Sequence, residues 1–345
     1  MRAEQSSNRS TQSSGGASAV LYVVGVDVGA TYTRVGLFSP EGRLVEKVRF
    51  ETPKTGGELA IASAIASAIE GLLSRWGGSL KSIGVGTIGP LDITSGDVVG
   101  APNAPIGRFK IREPLESLFG VDVYVVNDCV AAAWAEYLVG AGRGFRNVVY
   151  ITISTGIGGG AVVDGHLLLG KDGNAHEVGH IVLDLSGRFR CGCGGLGHWE
   201  AIASGANIPR TLEVLAREWR GAATEAYRRA LGGSLGSEEL FRLWRAGDGF
   251  AEFAVEFLAE VNAAGIASVV NVYDPEVLTV GGSIALRNPD FVEISIARVS
   301  RYVVNRRPSI TLTPLGEDAA LVGAALISIK PPGELLEVSR RALRT

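Results

Sequence analysis

The strongest constraint on the fold is a pattern that occurs twice. Residues 23–38, "VVGVDVGATYTRVGLF", and residues 148–163, "VVYITISTGIGGGAVV", each read as an apolar strand, a turn of small residues and a second strand. The second copy begins 125 residues after the first, at 148 against 23. Few letters are shared, so the likeness is one of pattern. A repeat on this scale predicts two halves of like fold facing one another.

The segments around the two copies extend the prediction. Residues 56–76 carry apolar residues at helical spacing, and 82–92 read as a short buried strand ending in a Gly/Pro turn. In 121–142 a strand runs directly into a helix, with Asn127-Asp128 at the junction. Beyond the second copy, helices are expected over 206–232, 237–246 and 250–272, a buried strand within 275–285, and an amphipathic helix over 316–329 opened by acidic residues. The order β-β-α-β-α, repeated, places the chain in the α/β class.

Composition excludes several functions. With 345 residues the chain has room for two domains and a large core. A net charge of −3 gives no electrostatic case for nucleic acid or an acidic membrane surface. Three cysteines, two of them in one C-x-C, are too few for a disulfide scaffold and fit a metal site in a reducing, cytoplasmic compartment. No uninterrupted apolar run reaches the roughly 18 residues of a membrane span. Residues 1–19 are polar and read as a disordered tail.

Three Gly-rich turns follow strands: "DVGATYT" (27–33), "STGIGGG" (154–160) and "GGS" (281–283). Glycine lets backbone N–H groups approach an anion closely, and Thr31, Thr33, Ser154 and Thr155 add hydroxyls. A Gly-rich hairpin is more often only a hairpin, but two matching turns in two matching halves favour phosphate binding. None is a P-loop. Asp27 sits on a strand between Val26 and Val28, where an unpaired carboxylate is costly. It either bonds the turn backbone or lies near Mg²⁺ beside a phosphate, and the adjacent turn favours the second. At 127–128, Asn127 alone suffices as a helix cap, which leaves Asp128 for another task. The helix dipole is expected to keep Asp128 anionic, as suits a proton acceptor. Cys129 reads as a small buried residue.

The segment "HEVGH" (176–180) has the letters of a zinc peptidase motif. That chemistry needs a helix, yet Gly179 interrupts the motif, and "HIVLDL" (180–185) alternates like a strand. The competing ligand set is His180, Cys191, Cys193 and His198. Four N/S ligands fill a tetrahedral Zn²⁺ and leave no open position, which marks a structural site. Glu177, Glu200 and one edge of His180 then remain for a polar ligand.

In these stretches the chain resembles the ROK family of sugar kinases and repressors, within the actin-like, hexokinase-like ATPase fold. The resemblance runs from "GVDVGATYT" through "GPLDITSGDVVGAPNAP", "VVNDCVAAAWAE", "STGIGGGAVVDGHLLLG", "HEVGHIVLD", "CGCGGLGHWEAIASG" and "DPEVLTVGGS" to "LGEDAALVGAA", about residues 21–330. It implies two actin-like, ribonuclease H-like domains with the active site in the cleft between them. The smaller would hold 20–127 completed by 316–345, and the larger 128–315 with the zinc knuckle. It implies Asp128 as the base toward the sugar hydroxyl, and Asn103, Asn127, Glu177, His180 and Glu200 as sugar ligands. Gly29, Thr31, Thr155 and Gly156 would surround the ATP phosphates, and Gly281-Gly282 would lie near the adenosine. Glucose is the expected sugar, with broader hexose use open, and a homodimer is the family expectation. The chain departs from the family pattern at Ala30-Thr31-Tyr32 (usually Gly-Thr-Lys), Ser154 (usually Gly), His198 (usually a third Cys) and His176 (usually small). Related repressors carry a DNA-binding helix-turn-helix before the first strand. Only about 20 polar residues precede Val20, so a sugar-responsive regulator without kinase activity is the lesser expectation.

Overall fold

The computed structural model describes residues 20–101 and 106–342. The expected tail at 1–19, and Asn103, lie outside the described residues. Twelve strands form among them: β1 (Leu21–Val28), β2 (Tyr32–Phe38), β3 (Leu44–Glu51), β4 (Ser79–Thr87), β5 (Leu91–Asp92), β6 (Asp97–Val98), β7 (Asp122–Asn127), β8 (Val148–Ile153), β9 (Ile157–Val163), β10 (His166–Leu167), β11 (Val277–Gly281) and β12 (Ser309–Leu312). One five-stranded sheet runs β3-β2-β1-β4-β7, the other β10-β9-β8-β11-β12. In the first, β3, β2 and β1 are antiparallel, and β4 and β7 join in parallel. The second repeats this: β10, β9 and β8 antiparallel, β11 and β12 parallel. The repeat in the sequence is thus a repeat of sheet topology, and the two Gly turns occupy equivalent hairpins.

Two helices lie between the sheets. Asp128–Leu138 packs on β8 and β9, Ala319–Ile329 packs on β1 and β4, and the helices pack on one another. Small residues set this close approach. A Cβ added at Gly84 would lie 1.8 Å from the Ala324 carbonyl oxygen, and one at Gly323 would lie 1.9 Å from that of Ala131. Backbone cannot yield as a side chain can, so Gly323→Ala is expected to destabilise by about 3 kcal/mol or more, read as a lowered denaturant midpoint. The sequence led us to expect an amphipathic helix here. Instead Gly316–Asp318 is a 3-10 turn, and Leu321, Gly323, Ala324, Ala325, Leu326 and Ile327 are all buried, because the helix has sheet on one side and helix on the other.

The outer faces are covered too. Ile61, Ile65, Ile69 and Leu72 of helix Ala60–Trp76 join the core of the first sheet. The expected 206–232 helix is two, Ile208–Glu218 and Glu225–Leu231. Helix Gly249–Tyr273 has the length and composition of a membrane span, with its apolar run interrupted by Glu252, Glu256 and Glu260. It is the central helix of the second core, with Phe250, Val255, Leu258, Ile266 and Val270 buried. The strand expected over 180–185 is not formed. Val178–His180 is a 3-10 turn, and Val182 makes only an isolated bridge to His198.

Candidate active site

A cleft of about 850 Å³ opens between the sheets, lined from both halves. Asp27, Gly29, Thr31, Asn127 and Asp128 face it from one side of the chain's repeat, and Thr155, Gly156, Glu177, His180, Glu200 and Gly282 from the other. Gly281 is not among its lining residues. It is buried in β11, where a Cβ would lie 2.4 Å from the Tyr150 hydroxyl, so the glycine makes room for that ring. Gly282 does line the cleft. It has φ 89°, and a Cβ there would meet the Ile153 carbonyl oxygen and Thr152 Oγ1 at 2.5 Å.

The first turn is braced by its neighbours. Gly29 donates its N–H to the Tyr32 carbonyl (3.0 Å), and Thr52 Oγ1 donates to the Gly29 carbonyl (2.7 Å). Thr33 does not face the cleft; it is buried, 2.9 Å from Thr52 Oγ1. In the second turn Ser154 N–H donates to the Gly156 carbonyl (2.9 Å), and Ser154 Oγ lies 3.0 Å from Ser283 Oγ. Glu200 Oε2 accepts the Ile157 N–H at 3.0 Å, and a Cβ on Gly156 would lie 2.6 Å from that oxygen. A glycine there lets the carboxylate reach the turn.

Asp128 opens its helix at the floor of the cleft. Asn127 is the cap, its Oδ1 accepting the N–H groups of Cys129 (2.8 Å) and Val130 (3.4 Å). Asp128 Oδ1 shares the Cys129 N–H at 2.8 Å. The helix terminus does not keep this carboxyl at an ordinary acidity, contrary to the expectation above. Burial, then the negative charge of Asp27, push its pKa up to about 7, against the opposing Cys129 N–H. Cys129 is buried as expected, and burial holds its thiol well above the usual range. Asp27 is bonded neither to the turn backbone nor left unpaired. Its Oδ2 accepts from Arg34 Nη1 at 2.8 Å, from the residue directly across β1 and β2. Burial still outweighs Arg34 and raises the Asp27 pKa.

His180 faces two ways. Its Nε2 lies 3.6 Å from Glu177 Oε2. Its Nδ1 lies 3.1 Å from His198 Nδ1, 3.7 Å from Cys193 Sγ and 3.9 Å from Cys191 Sγ. Cys193 Sγ is 3.4 Å from His198 Nδ1, and all four ligand atoms lie within 4.8 Å of one another. A tetrahedral zinc with ordinary bond lengths spaces nitrogen and sulfur ligands roughly 3.3–3.8 Å apart, so the donor set fits the ion. Burial raises the Glu177 carboxyl above its ordinary value.

Other residues at the site had no signal in the sequence. Arg34 and Arg49 line the cleft, and their placement depends on strand register. Asn174 clamps the two halves, accepting the Leu91 N–H at 2.8 Å and donating to the Leu91 carbonyl at 2.7 Å. His176, without a role in the sequence reading, is buried at φ 69° between the Tyr273 hydroxyl (2.9 Å) and the Leu168 carbonyl (2.8 Å). Burial lowers its pKa, so it is a neutral brace for the loop bearing Glu177.

Two matched halves around a cleft with paired Gly turns and a buried carboxylate define the two-domain, actin-like class of sugar phosphotransferase folds. The chain belongs to the ROK family, whose profile matches residues 23–330. It is 43% identical to a glucokinase of Aeropyrum pernix over 91% of this chain and 98% of that one. Among solved structures it is similar to a ROK hexokinase from Thermus thermophilus (38% identity, TM-score 0.76, covering 92% of this chain and 99% of that one). It is also similar to a ROK family glucokinase from Streptomyces griseus in complex with glucose and AMPPNP (31% identity, TM-score 0.72, covering 89% and 99%).

Proposed function

We propose that this protein transfers the γ-phosphoryl group of ATP to a hexose hydroxyl, with glucose converted to glucose 6-phosphate. The observation that carries this reading is Asp128, a carboxylate with a pKa near neutrality at the floor of a cleft between two equivalent Gly turns. Glucokinase relatives over nearly the whole chain support it. The division into a lobe of 20–127 completed by 316–345 and a lobe of 128–315 belongs to the same reading, supported by the packing of Ala319–Ile329 on β1 and β4.

In this mechanism Asp128 orients the sugar hydroxyl and takes its proton. The sugar oxygen forms a bond to the γ-phosphorus as the bond to the β–γ bridging oxygen breaks, and ADP leaves. Little covalent chemistry falls to the protein, so positioning and charge neutralisation dominate. Asn127 spends Oδ1 on the helix cap and keeps its amide N–H groups for the sugar. Glu177 and Glu200 offer acceptors on the facing wall, and His180, with Nδ1 turned to the metal ligands, presents its Nε2–H there as a donor. Gly29, Thr31, Thr155 and Gly156 bring backbone and hydroxyl donors to the phosphates, and Gly282 leaves room for the nucleoside. Asp27 is the carboxylate suited to the water shell of Mg²⁺, which when bound neutralises phosphate charge. His180, Cys191, Cys193 and His198 would hold a structural Zn²⁺ that fixes the sugar-binding loop.

Asp128 must be ionised to accept a proton. The kcat/KM for sugar is therefore expected to fall about tenfold per pH unit below roughly pH 7 and to level off above it. A pH profile flat from 5 to 8 would remove Asp128 from this role. A coupled assay of ADP formation with a panel of sugars, ATP and Mg²⁺ tests the function itself. Glucose is expected to turn over, and absence of turnover with every hexose would favour a sugar-responsive regulator.

A further inference from the structure

The register of the first sheet sets three charged residues side by side on one face. Asp27 of β1 pairs with Arg34 of β2, and Arg34 pairs with Arg49 of β3. Direct cross-strand partners project to the same side, and all three line the cleft. Their charges are not balanced. Arg34 is held by Asp27 at 2.8 Å and lies 3.8 Å from Glu317. Arg49 has no carboxylate within ion-pair distance among the described residues. Its guanidinium rests instead on the ring of Tyr32, 4.4 Å from the centroid, and Tyr32 is the residue at which the first Gly turn enters β2. Like charges directly opposite in a sheet are destabilising. An unpaired cation kept opposite Arg34, aimed by an aromatic face beside an anion-binding turn, has a use only once an anion arrives.

The other carboxylates of the cleft divide by location. Asp128, Glu177 and Glu200 lie at the end assigned to the sugar, where a polyanion would be repelled. The remaining cleft guanidinium without an acidic partner among the described residues, Arg287, sits on the opposite wall in helix Ser283–Arg287. Arg49 is thus the uncommitted cation on the wall that carries the first turn.

We propose that Arg49 binds the triphosphate of the phosphoryl donor where it passes the first Gly turn, and that Tyr32 positions it by stacking. This rests on the phosphotransfer reading above. A guanidinium offers a planar fork of donors to phosphate oxygens, and stacking on Tyr32 limits its rotamers before the ligand binds.

Calorimetric titration of the full chain with ATP, ADP and AMP, without sugar, tests the proposal. Arg49→Ala is expected to weaken ATP binding at least tenfold, with AMP affinity within twofold of wild type. Arg49→Lys should recover part of the loss, Tyr32→Phe should retain wild-type affinity, and Tyr32→Ala should lose about threefold or more. In the steady state the KM for ATP should rise, with the KM for sugar and kcat at saturating ATP little changed. ATP affinity within twofold of wild type in Arg49→Ala, or an equal loss for AMP, overturns the proposal. Arg49→Gln serves as a second neutral variant should the alanine form fail to fold. If the wild type phosphorylates no sugar, the functional reading fails on that assay, while Arg49 is still judged by the nucleotide titrations.

Discussion

Asp128→Asn is expected to lower kcat by about 10²- to 10⁴-fold while the folded protein becomes more stable at neutral pH. Both effects come from one carboxyl. Asparagine fills the same volume and can still bond the Cys129 N–H, but it cannot take a proton from a hydroxyl. The stability effect follows from linkage. In the unfolded chain the carboxyl titrates near 3.8, and in the folded protein burial and Asp27 raise it to about 7. Below pH 4 both states are protonated and the shift contributes nothing. Between pH 4 and 7 the unfolded chain ionises first, so stability falls as pH rises. Above pH 7 the whole cost is present, on the order of 4 kcal/mol. The variant escapes that cost. Its thermal midpoint should exceed that of wild type by roughly 5 °C or more at pH 8, with the gap closing toward pH 4. Near-wild-type turnover would remove Asp128 from the chemistry, and a midpoint below that of wild type at pH 8 would mean that the carboxylate is stabilised where it sits. Active sites that hold a strained group gain stability when the group is removed, at the cost of function.

What could be read from the sequence was local, and what could not depended on register or on contacts distant in the chain. The hairpin turn at 29–31 and its counterpart at 154–156 were legible because an apolar strand, a small-residue turn and another strand are contiguous. The separation of Asn127 from Asp128 was legible because one cap suffices for one helix. Arg34 lay seven residues from Asp27 without any sign that the two meet, since cross-strand pairing is fixed only when β1 and β2 align. Arg49 needed a second register beyond that. Gly281 and Gly282 look alike in the sequence, and only packing separates the one against Tyr150 from the one at the cleft. The alternation in 180–185 suggested a strand. Here the segment has no neighbouring strand to extend, and bends back on itself in the knuckle, so the propensity finds no partner. A helix terminus is visible in sequence, whereas the burial of Asp128, and after it the charge of Asp27 about a hundred residues earlier in the chain, which together raise its pKa, are not.

Stripping the metal from the knuckle is expected to raise the KM for sugar by 10- to 100-fold and to lower the thermal midpoint by about 10 °C, while ADP affinity changes less than twofold. The selectivity follows from which side chains the loop carries. His180 presents Nδ1 to the cysteine and histidine cluster and Nε2 toward Glu177, so one ring joins the ligand set to the sugar wall. Glu200 lies in the first turn of the helix that His198 caps; its carboxylate is 3.8 Å from Cys191 Sγ and accepts the Ile157 N–H. The nucleotide turns at 29–31 and 282–283 share no ligand with the cluster, and the turn at 154–156 is joined to this wall through the Glu200 bond to the Ile157 N–H. Within the loop, backbone bonds join Leu183 and Asp184 to Gly197 and Gly197 to Phe189, and Phe189 packs on Phe257. The loop's apolar anchor is a small group of Phe189, Cys191, Ala201 and Ile202, while Leu185 and Leu196 are exposed. Without the ion, burial pushes the Cys191 thiol up to about 11, so the stripped site holds its proton and the ligand atoms repel less than thiolates would, but nothing draws them together. Cys193→Ser, which lies at the exposed edge, should reproduce the sugar defect with a smaller loss of stability than Cys191→Ser, whose side chain is buried. The measurement is metal content alongside sugar KM, ADP affinity and melting. Fully active, fully folded protein with no bound zinc would show that the loop is ordered by its own packing. Equal losses for sugar and ADP would show that the metal supports the whole domain rather than this wall of the cleft.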